Sequence, residues 1–158
     1  MLAMQVIEYC RQVFLAEGLE ILLKPYQIIC TGSQTGLIEF LEDTISVDRM
    51  KKSYVPPPLE EYPFDPSSSP GGSGDFSASG TAVGSQTATL KDYFESCFGP
   101  SYTFVHSQAI NNFVSSLVGY SLVTYLLQVK DRHNANILVA RDGSVIHIDF
   151  GFILGGKC

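Results

Sequence analysis

Asp131-Arg132-His133-Asn134-Ala135-Asn136 and, a few residues on, His147-Ile148-Asp149-Phe150-Gly151 decide how this chain is read. Between them, Ile137-Leu138-Val139 and Val145-Ile146-His147-Ile148 flank Arg141-Asp142-Gly143-Ser144. Two β-prone runs around a glycine-containing turn predict an antiparallel hairpin. Asn136 then stands just before the first strand and Asp149 just after the second. Closing the hairpin brings an amide oxygen and a carboxylate together, with Asp131 five residues upstream of Asn136 on the same loop.

Oxygen donors of this kind suit magnesium, which takes few protein ligands and fills its shell with phosphate and water. Asn136 lies five residues after Asp131, and Asp149 thirteen after Asn136. Kinases place a catalytic carboxylate and two magnesium ligands around the phosphates of ATP by that spacing. Asp131 is the candidate acceptor of a hydroxyl proton, His133 a candidate second base or charge stabiliser, and Asn136 and Asp149 the candidate metal ligands. Each piece has a plainer reading. Asp-Phe-Gly is common in turns, a lone histidine is usually structural, and Asp131 and Arg132 could form a local ion pair that fixes the loop. The ordered conjunction favours phosphoryl transfer.

At 158 residues the chain is long enough for one domain with a core, and its net charge of −6 gives no electrostatic case for nucleic acid. Cys10, Cys30, Cys97 and Cys158 show no C-x-x-C spacing and read as reduced thiols of an intracellular protein. Met1 opens into an amphipathic pattern with no basic n-region, so no secretory signal is expected. Ser96 to Val129 carries no Asp, Glu, Lys or Arg. Its most apolar part, residues 113–127, includes Ser115, Ser116, Gly119, Ser121 and Thr124 and is shorter than the ~20 residues of a membrane span. A buried core helix is expected there.

Leu2, Val6, Tyr9, Cys10, Val13 and Phe14 recur at helical spacing within residues 1–23, whose apolar content continues through Leu19 and Ile21-Leu22-Leu23 until Pro25 ends any helix. Tyr26-Gln27-Ile28-Ile29-Cys30 and Leu37-Ile38-Glu39-Phe40-Leu41 flank a Gly/Ser/Thr turn and predict a second hairpin. Residues 54–89 are rich in Pro, Ser and Gly and read as a disordered insertion. Gly71-Gly72-Ser73-Gly74 has no strand before it and no helix directly after it, so it is a linker and not a phosphate cradle. A short helix over Leu90 to Phe98 and a long one over Thr103 to Gln128 follow. In the long one Ile110, Phe113, Val114, Leu117, Val118, Leu122, Tyr125 and Leu126 recur three and four apart.

The order Asp-Arg-His, with D-R-H-N-x-N and H-I-D-F-G in sequence, resembles the phosphatidylinositol 3-/4-kinase superfamily. Tyr125 to Lys130 before the motif and Gly151-Phe152-Ile153-Leu154 after it resemble the type III phosphatidylinositol 4-kinases, beta-like members most of all. Lys24-Pro25-Tyr26, Gly36-Leu37-Ile38-Glu39 and Leu90-Lys91-Asp92-Tyr93-Phe94 fit the same family. The resemblance implies an α+β, protein-kinase-like bilobal fold. Residues 1–53 would be the helix, strands and hinge of the N-lobe, and residues 90–158 the first part of a helical C-lobe. It implies ATP and Mg2+, and transfer of the γ-phosphate to the 4-hydroxyl of phosphatidylinositol. The hinge would be Ile38 to Leu41, with backbone groups of Glu39 and Leu41 and the side chain of Phe40 around adenine. Tyr26 would line the inner end of the pocket, and Leu138 and Ile148 would form its floor. Without the resemblance, Tyr26, Ile38, Leu138 and Ile148 read as ordinary core residues.

Peripheral contact with cytosolic faces of Golgi or other endomembranes, and Golgi adaptor proteins as partners, follow from the resemblance alone. Measured against the family pattern, the chain opens inside the αC helix and stops before the activation loop. No glycine-rich loop or strand lysine precedes the helix. The expectation is a partial catalytic domain with negligible turnover by itself. The rival readings are a phosphoinositide 3-kinase or related superfamily kinase, and a non-catalytic kinase-derived binding module.

Overall fold

The computed structural model describes residues 2–33, 35–53 and 89–157. Helix α1 (Leu2–Ala16) buries Ala3, Met4, Ile7 and Phe14, a stripe at helical period that packs inward. It ends eight residues before Lys24, the limit set by Pro25. Gly18 takes φ +66°, the N–H of Leu19 donates to the Phe14 carbonyl at 2.8 Å, and the N–H of Gly18 donates to the Leu15 carbonyl at 3.2 Å. That pair of bonds is a Schellman cap, which satisfies the last carbonyls and turns the chain away. The mostly apolar segment Leu19 to Leu23 is therefore a connector and not a further turn of α1.

β1 (Ile28–Cys30) and β2 (Gly36–Ile38) form the expected first hairpin, with Ile28 opposite Ile38 and Cys30 opposite Gly36. β2 stops at Ile38, so Glu39 to Leu41 leave the ladder. β3 (Thr44–Ser46) and α2 (Val47–Ser53) follow, neither anticipated from sequence. Residues 54–88 of the expected insertion lie outside the described residues. Thr89, taken with the insertion, belongs to the next helix. Its hydroxyl accepts from the Asp92 N–H at 3.2 Å and the Asp92 carboxylate accepts from the Thr89 N–H at 2.9 Å. This reciprocal cap opens α3 (Leu90–Phe98) and holds the Asp92 carboxyl below its usual range.

α4 (Phe104–Leu126) starts at Thr103, whose hydroxyl accepts from the His106 N–H at 3.3 Å. Its chemistry inverts the expected one. The buried face mixes small and polar residues with Tyr120 and Val123: His106, Ala109, Ser116, Gly119, Tyr120 and Val123. The apolar residues Val114, Leu117, Val118, Leu122, Tyr125 and Leu126 lie on the exposed side, Tyr125 at 80%. The serines that shortened the apolar run serve as fasteners. The Ser115 hydroxyl donates to the Glu20 carbonyl at 2.5 Å and accepts from the Leu22 N–H at 2.9 Å. The Ser116 hydroxyl accepts from the buried Val145 N–H at 2.7 Å, and the Tyr120 hydroxyl donates to the Lys24 carbonyl at 2.9 Å. Gly119 lets the connector lie directly on the helix, since a Cβ there would stand 2.9 Å from Ile21 Cγ2 and Leu23 Cδ2. Among the described residues no helix is long and apolar enough to cross a membrane.

β4 (Ile137–Ala140) and β5 (Val145–His147) form the second expected hairpin, with Ile137 opposite His147 and Val139 opposite Val145. β3 adds to the other edge of β4, giving a sheet of order β3-β4-β5. β6 (Phe152–Ile153) and β7 (Gly156–Lys157) make a third antiparallel pair. Helices and small antiparallel sheets thus mix along the chain, in keeping with an α+β class. Two cores hold it. One joins Ala3, Met4, Ile7 and Phe14 of α1 to Leu23, Tyr26, Tyr120, Val123, Leu127 and Ile146. The other joins Met50, Phe94, Ala109 and Val139. Side chains alternate across β4, so Val139 enters the second core and Leu138 packs toward the first.

Candidate functional site

A cleft of about 440 Å³ opens where the first hairpin, the segment after it and the β4–β5 hairpin meet. Its walls are Tyr26, Ile38, Glu39, Phe40, Leu41, Thr44, Leu138, Ile148 and Asp149. Seven of these are the sequence-predicted nucleotide-pocket residues and an eighth is a predicted metal ligand. Thr44 was missed; the β-branched residues Thr44, Ile45 and Val47 were the signal that could have found it. A hollow of about 520 Å³ on the other side of Tyr26, between α1 and Pro25–Ile28, is larger. Asp149 borders the smaller cleft and not this one, so the chemistry favours the smaller cleft.

The core-residue reading of the lining fits Tyr26, which is 7% exposed, but fails for Ile38, exposed at 69%; Phe40 is exposed as well. Leu138 and Ile148 are half-buried and pack on the first core from the cleft side. Burial first, and the Asp149 carboxylate second, push the Tyr26 phenol above its ordinary pKa.

The rim after β2 presents a specific backbone pattern. The Glu39 N–H donates to the Gln27 carbonyl at 2.9 Å, and the Leu41 carbonyl accepts from the Thr44 hydroxyl at 2.9 Å. Those bonds spend one group on each residue. Among the described residues, the Glu39 carbonyl and the Leu41 N–H, two residues apart, take no part in these bonds.

The catalytic-loop candidates gather at the base of β4. Asn134–Asn136 form a 3₁₀ turn that buries Asn136, and α2 packs against it. The Asn136 amide nitrogen donates to the Asp131 carbonyl at 3.1 Å and lies 3.2 Å from His133 Nε2. The amide oxygen is thereby the atom with lone pairs to offer a cation. The Ile148 N–H donates to the Asn136 carbonyl at 3.0 Å, which sets Asn136 beside the residue preceding Asp149. His133 Nε2 and Asp131 Oδ1 are 3.7 Å apart on side chains about half exposed (54% and 52%). His133 Nδ1 accepts from the Ala135 N–H at 3.3 Å, which fixes the ring over the turn.

Asp131 and Asp149 both adopt left-handed backbone, at φ +60° and +57°. An L residue pays about 1–2 kcal/mol for that conformation, less for Asp than for most. Such outliers persist where the surroundings over-determine them. Arg132 does not pair with its neighbour as the plain reading has it. Its hydrogen bonds go to main-chain carbonyls of Lys130, Ile148 and Asp149. Burial lowers its pKa, opposed by the charges of Asp149 and Asp131.

Among the described residues there is no group of three or more His, Cys, Asp or Glu placed to hold a metal. The donor set of one carboxylate and one amide fits magnesium carried on a nucleotide, whose remaining ligands are phosphates and water. It does not fit zinc, which wants thiolate and imidazole.

Comparison with known proteins agrees with this geometry. The family model described as phosphatidylinositol 3- and 4-kinase matches residues 1–158. Phosphatidylinositol 4-kinase pik1 of Schizosaccharomyces pombe is 39% identical over 152 residues, covering 96% of this chain and 16% of that protein. Phosphatidylinositol 4-kinase beta 2 of Arabidopsis thaliana is 36% identical over 159 residues, covering 99% of this chain and 11% of that protein. Phosphatidylinositol 4-kinase PIK1 of Saccharomyces cerevisiae is 36% identical over 155 residues, covering 98% and 13%. The chain thus spans 11 to 16% of the length of these three relatives.

Proposed function

The chain belongs to the phosphatidylinositol 3- and 4-kinase family, and from that membership we propose that it is the nucleotide-binding and catalytic-loop portion of a phosphatidylinositol 4-kinase. The observation that carries the reading is one cleft lined by seven predicted adenine-pocket residues with Asp149 at its edge. The relatives' names, all 4-kinases, support the 4-hydroxyl over the 3-hydroxyl.

In this reading Ile38 to Leu41 are the hinge between two lobes. Adenine meets the Glu39 carbonyl and the Leu41 N–H and rests on Leu138 and Ile148, while Tyr26 closes the inner end. Asn136 Oδ1 and the Asp149 carboxylate would hold magnesium, which when bound neutralises phosphate charge. The Asp131 carboxylate accepts the proton of the inositol 4-hydroxyl as its oxygen bonds to the γ-phosphorus and ADP departs. His133, within reach of Asp131, assists by taking up charge. Positioning and electrostatics supply nearly all catalysis of this kind. The sequence contains no glycine-rich loop with a phosphate-gripping lysine, so these 158 residues by themselves turn over negligibly. Peripheral contact with Golgi or other endomembranes, and recruitment by adaptor proteins, complete the proposal on the strength of the family alone.

The test is a chimera in which these residues replace the matched stretch of the fission-yeast relative. It is assayed with radiolabelled ATP on phosphatidylinositol vesicles. Phosphatidylinositol 4-phosphate as product, abolished by Asp149→Ala, is expected. A 3-phosphate product, or a folded chimera with no product, overturns the reading.

A further inference from the structure

Arg132 ties the loop bearing Asp131 to the segment bearing Asp149. Its Nη1 donates to the Ile148 carbonyl at 2.6 Å, its Nη2 to the Asp149 carbonyl, and its Nε to the Lys130 carbonyl at 3.3 Å. The guanidinium carbon also lies 5.2 Å from the centroid of the Phe150 ring. A planar group with several donors is thus committed to three carbonyls and one aromatic face. All three hydrogen bonds end on backbone, so what they fix is chain direction.

The chain needs fixing there. Asp149 holds φ +57°, and the carbonyls of Ile148 and Asp149 must turn toward one point to share one guanidinium. With those carbonyls pinned, the Asp149 side chain stays at the cleft wall beside Leu138 and Ile148. The Gly151 N–H donates to Asp149 Oδ1 at 3.3 Å and closes the turn from the other side.

We propose that Arg132 is a positioning residue that holds Asp149 in the left-handed turn presenting its carboxylate to nucleotide-borne magnesium. The inference rests on the phosphoryl-transfer reading above. Lysine cannot take over the role, because an ammonium lacks the fork that reaches two carbonyls at once.

The experiment titrates the full chain with ATP, with and without magnesium, by calorimetry, and follows amide hydrogen exchange at residues 149–151. In Arg132→Met, magnesium-free ATP affinity stays within about twofold of wild type, while the magnesium-dependent gain drops about tenfold or more. Exchange at 149–151 accelerates while α1 and α4 amides keep their protection. Arg132→Lys recovers only part of the gain and, retaining charge and aliphatic stem, carries the same comparison should Arg132→Met unfold. An undiminished gain with unchanged exchange overturns the proposal. A wild-type chain with no magnesium-dependent gain sinks the phosphoryl-transfer reading instead, and the exchange rates still decide whether Arg132 holds the turn.

Discussion

The imidazole of His147 lies flat against the ring of Tyr120, with centroids 4.7 Å apart and planes 23° apart. Both rings are buried, and among the described residues neither His147 nitrogen has a hydrogen-bond partner. Burial, aided by the Arg132 charge, pulls the His147 pKa from 6.5 down to about 4. Between those values the unfolded chain binds a proton that the folded chain refuses. Stability is therefore full above pH 6.5 and falls as pH drops toward 4, by up to about 3 kcal/mol. Urea unfolding across that window checks it. His147→Phe, which keeps the stack and removes the unpartnered nitrogens, is expected to flatten the slope and to hold or raise stability at neutral pH. An unchanged acid limb in that variant assigns the slope to other groups.

Gly119 is where α4 accepts the connector from α1. Gly119→Ala places a methyl 2.9 Å from Ile21 and Leu23 side chains and 3.0 Å from the Leu22 carbonyl. The expected cost is about 1–3 kcal/mol. Ser121→Ala, on the exposed face of the same helix, changes stability by less than about 0.5 kcal/mol. Thermal unfolding of both variants compares the two faces directly. Equal effects would remove the claim that α4 is fastened by its small, polar side.

The Ser116 hydroxyl is the partner of the Val145 N–H at the start of β5. Ser116→Ala strands that buried donor, at a cost of about 1–3 kcal/mol. Chemical denaturation gives the size. Amide exchange at Val145 rising ahead of α1 would locate the damage in the hairpin, and protection there unchanged from wild type would contradict the assignment.

Leu138 lines the cleft, and in the proposed reading it is the floor on which adenine rests. Truncation to Ala removes roughly 1–2 kcal/mol of apolar contact and weakens adenosine and ATP binding alike, by about tenfold. Because the side chain offers no donor atom to a metal, the ratio of affinities with and without magnesium stays at its wild-type value. A change in that ratio would mean Leu138 acts on the phosphates and not on the base.

Much of this was legible because it is local. Both hairpins were marked by β-prone runs around turn residues, and α4 by its helical period. The candidate site residues are adjacent to those hairpins, so their grouping followed once the hairpins closed. The misses have tertiary causes. Gly18 ends α1 through a cap, although apolar residues resume at Leu19 and Ile21 to Leu23 beyond it. β3 is three residues long and gains its strand character from pairing with β4. The α4 stripe was visible, but which face is buried depends on Ser115, Ser116 and Tyr120 reaching backbone about thirty to ninety residues away. Arg132 looked like a partner for Asp131 because sequence proximity shows charges and hides carbonyls.

The most direct measurement is calorimetric titration of the chain with ATP at increasing magnesium, beside Asn136→Ala and Asp149→Ala. Magnesium is expected to tighten ATP binding to the wild type. Each substitution is expected to abolish that gain while adenosine binding, which needs only the cleft, persists. ATP binding indifferent to magnesium, or a magnesium gain that survives both substitutions, would contradict the placement of a nucleotide–metal site between Asn136 and Asp149.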